Sequence, residues 1–98
     1  MNFPEFKDIL ETKFKALTSF ELLEYQYQPY SFGNGLVAYR INGYNYRLIF
    51  DGKETELIVE RSNPHEKYNG RPYQKIFSQW TLDVDTVVSA LVGVFTNK

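Results

Sequence analysis

Apolar residues near the start of the chain recur at steps of three and four: Phe3, Phe6, Ile9, Leu10, Phe14 and Leu17, with Glu5, Lys7, Asp8, Glu11 and Lys15 between them. A 3.6-residue turn gathers such positions on one face, so the spacing predicts an amphipathic helix from Phe3 to about Leu17. Pro4 fits a first turn, where an N–H has no helical partner, and Glu5 and Asp8 lie near the positive end of the helix dipole. The pattern then changes. "LLEYQYQPYSF" reads as a first strand, broken or at least kept at a sheet edge by Pro29, which cannot donate to a central ladder. "GNG" at 33–35 is expected to turn the chain into "LVAYRI", Asn42-Gly43 into "YNYRLIF", and Asp51-Gly52 into "KETELIVER".

Two-residue turns dictate register. Counting outward from Asn42-Gly43 sets Ile41 opposite Tyr44, Tyr39 opposite Tyr46 and Val37 opposite Leu48; counting from Asp51-Gly52 sets Tyr46 opposite Leu57 and Tyr44 opposite Val59. All of these fall on one face. The other face receives Leu36, Ala38, Arg40, Asn45, Arg47, Ile49, Glu54, Glu56, Ile58 and Glu60, with Arg47 opposite Glu56. The register of "GNG" leaves two arrangements of the first strand. A turn at Asn34-Gly35 alone puts Tyr30 and Phe32 on the core face and Tyr25 and Tyr27 outward beside Arg40, and a three-residue loop exchanges them.

The polar segment "SNPHEKYNGRP" (62–72) is long for a hairpin loop and rich in breakers. "YQKIFSQWTL" (73–82) reads as another strand, and 83–95 as a helix capped by Asp83, with Val84, Val87, Val88, Leu91, Val92 and Phe95 as its apolar stripe. The expected fold is α+β: a two-layer sandwich in which an antiparallel meander of four to five strands carries the N-terminal and C-terminal helices on one face, in the order α-β-β-β-β-β-α.

Ninety-eight residues supply one hydrophobic core, so 1–98 is read as a single domain. Eight Tyr, eight Phe and one Trp give large burial per side chain. The absence of cysteine excludes disulfides, thiolate chemistry and cysteine-based metal sites, and suits a reducing compartment. The opening residues lack the basic and apolar regions of a signal peptide, and "VVSALVGVF" is far short of a membrane span; a cytoplasmic, membrane-free protein is expected. A net charge of -1 gives no general attraction for nucleic acid. Residues 39–75 nevertheless hold seven Lys/Arg against five Asp/Glu, which centres any basic patch there.

Catalytic signals are sparse. His65 is the only histidine, no glycine-rich phosphate loop or His-Glu-x-x-His spacing occurs, and "GNG" sits between strands, where a turn explains it. Glu54 and Glu56 share a strand face, and a solvated face explains them too. No catalytic residue, metal or cofactor is assigned. The binding candidates are Arg61, His65, Lys67, Tyr68 and Arg71, which bring cations, an imidazole and a phenol to one loop, together with Arg40 and Arg47 on the outward face and Tyr25 and Tyr27 on the first strand.

"YRINGYNYRLIF" followed by "LIVERSNPHEKY" resembles the strand-turn-strand core of RelE/HigB-type mRNA-cleaving toxins, over about residues 39–68. The resemblance implies that Arg47 meets phosphate charge and that His65 and Tyr68 contact or cleave RNA. Those toxins are usually basic and open with a helical hairpin, whereas this chain is near neutral and opens with one helix. The reading favoured by the whole chain is a small non-enzymatic protein-binding or adaptor domain, of the inhibitor, immunity or chaperone-like kind. It would act through the open sheet face and the 62–72 loop, with a homodimer as a variant of that use. An RNA-binding or RNA-cleaving module is the alternative, and a small-molecule carrier comes third.

Overall fold

The computed structural model describes residues 2–62, 73–80 and 83–96. Helix α1 (Phe3–Leu17) begins where the Asn2 side-chain oxygen accepts the Glu5 amide at 2.9 Å, with Pro4 in the first turn. Phe3, Phe6, Leu10 and Phe14 form its buried stripe. It ends at Thr18, which is extended but still donates its N–H to the Phe14 carbonyl at 2.8 Å. Helix α2 (Val84–Thr96) is capped as its sequence predicts: Asp83 Oδ1 accepts the amides of Asp85 and Thr86, and Thr86 Oγ1 donates to Asp83 Oδ2 at 2.6 Å. Among the described residues no helix is long and apolar enough to cross a membrane.

Between the helices the described residues form five antiparallel strands, β1 (Phe20–Gln28), β2 (Asn34–Ile41), β3 (Tyr44–Asp51), β4 (Glu56–Ser62) and β5 (Tyr73–Trp80), neighbours in sequence order. The expected α+β architecture, with its order of elements, is the observed one. Asn42 and Gly43 have φ of 54° and 85°, the left-handed pair that an Asn-Gly hairpin needs, and β2 pairs with β3 in the anticipated register.

Two other turns differ from expectation. Asp51-Gly52 does not make a two-residue turn: Asp51 pairs with Glu56, and residues 52–55 form the loop. Asp51 Oδ1 accepts the amides of Lys53 at 3.0 Å and Glu54 at 3.2 Å, a local turn that stops the ladder, and Thr55 closes the loop at φ 55°. Tyr46 therefore lies opposite Arg61 instead of Leu57, and Arg47 opposite Glu60 instead of Glu56. The slip is four residues, and because strand faces repeat every two, each side chain keeps the face assigned to it.

Nor does "GNG" make the first turn. Gln28 pairs with Asn34, so the loop is Pro29–Gly33, stabilised by Ser31 N–H to Gln28 O and Asn34 N–H to Ser31 O, each at 3.0 Å. β1 accordingly stops before Pro29, and its register shifts once, between Leu22 and Glu24.

The core fills the space between one sheet face and both helices. Phe14 meets Phe20, Tyr39 and Phe95 edge-on at 5.3–5.5 Å between ring centres, and Tyr46 meets Phe95 at 4.5 Å. These edge-to-face contacts join α1, the sheet and α2 into one apolar unit with Val37, Ile41, Leu48, Phe50, Leu57, Val59 and Leu91. Tyr39 is fully buried and donates its hydroxyl to Glu11 at 2.8 Å, while Glu11 pairs with Lys7 at 3.0 Å.

Candidate functional site

The face turned away from the helices carries Arg40 and Arg47, as expected, but both are engaged. Arg47 gives Nε and Nη2 to Glu60 Oε1 at 3.0 and 2.6 Å, and its guanidinium lies 3.9 Å from the centre of the Tyr73 ring. Burial pushes the Tyr73 phenol up, with the Arg47 charge opposing the shift. Arg40 Nε donates to Asn45 Oδ1 at 3.0 Å, and its Nη1 lies 3.7 Å from Glu21. Asn45 and Ala38, expected to be outward and solvated, are fully buried. Asn45 holds Arg40, and Ala38 is a short side chain flanked in the ladder by Glu24 and Arg47. The centre of this face is thus a paired polar layer and not an open cationic surface.

Arg61 belongs elsewhere. It lies opposite Tyr46 and stacks its guanidinium 4.7 Å from the Tyr44 ring centre, on the helix-side face. Burial raises the Tyr46 phenol, and Arg61 opposes that shift. His65, Lys67, Tyr68 and Arg71 lie outside the described residues, as does the 62–72 loop apart from Ser62, which ends β4 and is buried.

Tyr25 and Tyr27 do not stand beside Arg40. Both point to the helix side, opposite Val37 and Gly35. Tyr25 stacks on Phe3 at 6.3 Å with 12° between planes, and Lys7 Nζ lies 4.8 Å from its ring centre. Gly35 makes this corner: a Cβ there would come within 2.2 Å of the Phe3 ring.

What the loop Pro29–Gly33 exposes is the larger surprise. Tyr30 is 101% exposed and Phe32 69%, and Leu17, Leu22 and Tyr25 are 57%, 45% and 39% exposed. Among the described residues these are the large apolar side chains left in solvent, and all fall within residues 17–32, at the end of α1, along β1 and in the loop after it. The loop is held rather than loose. Asn34 Oδ1 accepts the Gly52 amide at 2.7 Å, and the Phe32 carbonyl approaches Gly52 so closely that a Cβ there would be 1.7 Å from it. Phe32 itself has φ 59°, a left-handed conformation that a bulky residue adopts at a cost. Beside the loop, an open groove of about 240 Å³ runs between Gln26 and Gln28 of β1 and Ile49 and Asp51 of β3.

The aromatic content of 25–32 is visible in the sequence, but strand patterning wrongly extends β1 through Tyr30 and Phe32. Pro29, followed by polar and aromatic residues without alternation to a core partner, is the available sign of a loop. No known protein family, curated protein or solved structure gives a match to this chain.

Proposed function

We propose that this chain is a small protein-binding domain without catalytic work of its own. Its docking surface is the β1 side of the molecule, continued onto the outer face by the groove beside β1. The observation that supports this reading is that, among the described residues, the exposed large apolar side chains, Leu17, Leu22, Tyr25, Tyr30 and Phe32, lie on that one side. Scattered apolar residues need no explanation, but a row of them on one side, rich in aromatics, has the composition of a contact surface. A strained and tethered Phe32 adds to this, since an ordered aromatic loses little freedom on docking.

The RNA-directed alternative requires Arg47 to meet phosphate. Glu60 and Tyr73 already occupy that guanidinium, which argues for the binding domain instead.

The test is proximity crosslinking and capture from the source lysate, with and without nuclease, using the native chain and a Tyr30→Ser/Phe32→Ser variant whose fold is checked by circular dichroism. Both substituted positions are exposed, so the fold should survive. One protein captured by the native chain in constant stoichiometry, resistant to nuclease and lost in the variant, is the expected outcome. Equal capture by the variant, or recovery of nucleic acid alone, would overturn the reading.

A further inference from the structure

Strand β1 ends the sheet, and no described segment pairs with its outer rim. The backbone groups along such a rim need a partner or water, and native proteins usually cover or blunt them. Pro29 stands just past the strand, so every residue of Phe20–Gln28 keeps its N–H, and the ladder is regular from Glu24 to Gln28. A further strand can add here.

The acidic residues of this rim do not require a basic partner. Arg40 Nη1 lies 3.7 Å from Glu21, and Gln26 donates its side-chain amide to Glu24. What the regular stretch presents besides its backbone is therefore neutral: Gln26 and Gln28 on the outer face, Tyr25 and Tyr27 on the helix side. Both kinds pair with their own kind. A side-chain amide is donor and acceptor at once, and aromatic pairs across a ladder are favourable.

The order of these residues fits a second copy. The regular stretch Glu24–Gln28 is centred on Gln26, so an antiparallel copy related by a twofold axis at Gln26 uses all of it. Gln26 then faces its own equivalent, Tyr25 faces the partner's Tyr27, and Glu24 faces the partner's Gln28. Tyrosine meets tyrosine, amide meets amide on the axis, and no charge faces a like charge. The same axis exchanges the two ends of the strand. Exposed apolar side chains lie at both, Leu17 and Leu22 toward its start and Tyr30 and Phe32 just past its finish. Self-pairing brings the first set of each copy beside the second set of the other, so one closed contact draws on both sets twice.

We infer that β1 is the interface of a twofold homodimer, in which the β1 strands of two copies pair antiparallel about Gln26 and join their sheets into one. The inference rests on the protein-binding reading and names a second copy as the occupant of that surface.

The test uses the absence of cysteine from the chain, which lets single introduced cysteines report register. Directly opposed residues of an antiparallel pair stand about 4.5–5.5 Å apart at Cα, within disulfide reach, whereas residues four positions apart along the ladder are separated by roughly 13 Å. On mild oxidation, Gln26→Cys should crosslink to itself, and Glu24→Cys should crosslink to Gln28→Cys but not to itself. In sedimentation equilibrium the native chain should dimerise. Gln26→Glu and Gln26→Lys each place like charges across the axis and should weaken association about fivefold, while their equal mixture should associate more tightly than either alone. Gln26 is exposed, so both variants should keep the fold, as circular dichroism would check. A native chain that stays monomeric up to about 1 mM would overturn the inference. So would a dimer indifferent to both Gln26 charges, or one in which Glu24→Cys crosslinks to itself as readily as to Gln28→Cys. If the chain is monomeric while Tyr30→Ser/Phe32→Ser still abolishes partner capture, the surface binds a different protein and only this occupant falls.

Discussion

At the scale of single residues, glycines divide by what surrounds them. Gly52 does not sit at positive φ; it is there because the Phe32 carbonyl occupies the place of a side chain. The neighbour is backbone, which cannot swing aside as a rotamer can. Gly52→Ala should therefore push the Pro29–Gly33 loop off the β3–β4 hairpin and cost about 1–3 kcal/mol in urea unfolding, the usual range for forced overpacking. Gly93 is the opposite case, exposed within α2 with open space where a Cβ would stand. Gly93→Ala should stabilise by about 1 kcal/mol through helix propensity alone. Unchanged stability in the Gly52 variant would show that the loop does not rest on the hairpin. The dipeptide "DG" displays the glycine but suggests the wrong reason for it, since a turn glycine and a close-approach glycine look identical until the second segment is in place.

At the scale of elements, the caps are local and therefore readable. Asp83 stands before an apolar stripe, the position of a cap, and it does cap α2. Hydrogen bonds from Thr86, side chain and backbone, hold its carboxyl below the usual aspartate range, with the Asp85 amide adding to them. A group with a depressed folded pKa contributes stability that is present above its unfolded pKa and lost as pH falls through the folded one. Acid unfolding of the native chain should include this loss below about pH 4. Asp83→Asn keeps a capping oxygen and should flatten that part of the pH profile, whereas Asp83→Ala should lower stability at neutral pH as well. An Asn variant with an unaltered acid limb would place the titration elsewhere. The hairpins show the limit of local reading. Asn42-Gly43 needs only its own backbone, and the register it predicts is the one observed. The register predicted from Asp51-Gly52 is displaced by four residues because the Asp51 carboxylate and the Asn34 side chain both compete for the backbone of that turn.

At the scale of the whole molecule, α1, the sheet and α2 share one core, and Tyr39 lies fully buried within it. Tyr39 is raised far above its ordinary value, first by burial and then by its hydrogen bond to Glu11; burial also raises Tyr46 and Tyr73. Tyr39 must stay neutral in the folded state. The unfolded chain ionises at the ordinary tyrosine value, so stability should hold up to about pH 10 and decline above it. Tyr39→Phe should make that decline shallower in alkaline unfolding monitored by tryptophan fluorescence, while losing about 1 kcal/mol at pH 7 with the hydroxyl bond to Glu11. A decline as steep in the variant as in the native chain would show that other groups carry it. The candidate site also belongs to this scale. Of the residues nominated from sequence, Arg40 and Arg47 reach the outer face but are paired there, Arg61 turns to the helix side, and Tyr25 and Tyr27 join the rim of the core. Tyr30 and Phe32 are the most exposed aromatics among the described residues because the chain leaves the ladder after Gln28, so neither side chain has a place on a sheet face.

Periodicity and turn residues determined the two helices, the faces of β2, β3 and β4, the order of elements and the Asn42-Gly43 register, because each depends on spacing within a segment or on the backbone of two residues. Only the tertiary structure decided the length of the other two turns, the Arg47–Glu60 pairing, the burial of Asn45 and Ala38, and the gathering of exposed apolar residues along β1. Those features depend on which distant segments meet: Gly52 with Phe32, Gly35 with Phe3, Asn34 with the β3–β4 loop. A pattern of period two survives a slip of four residues unchanged, so the faces were legible while the partners across them were not.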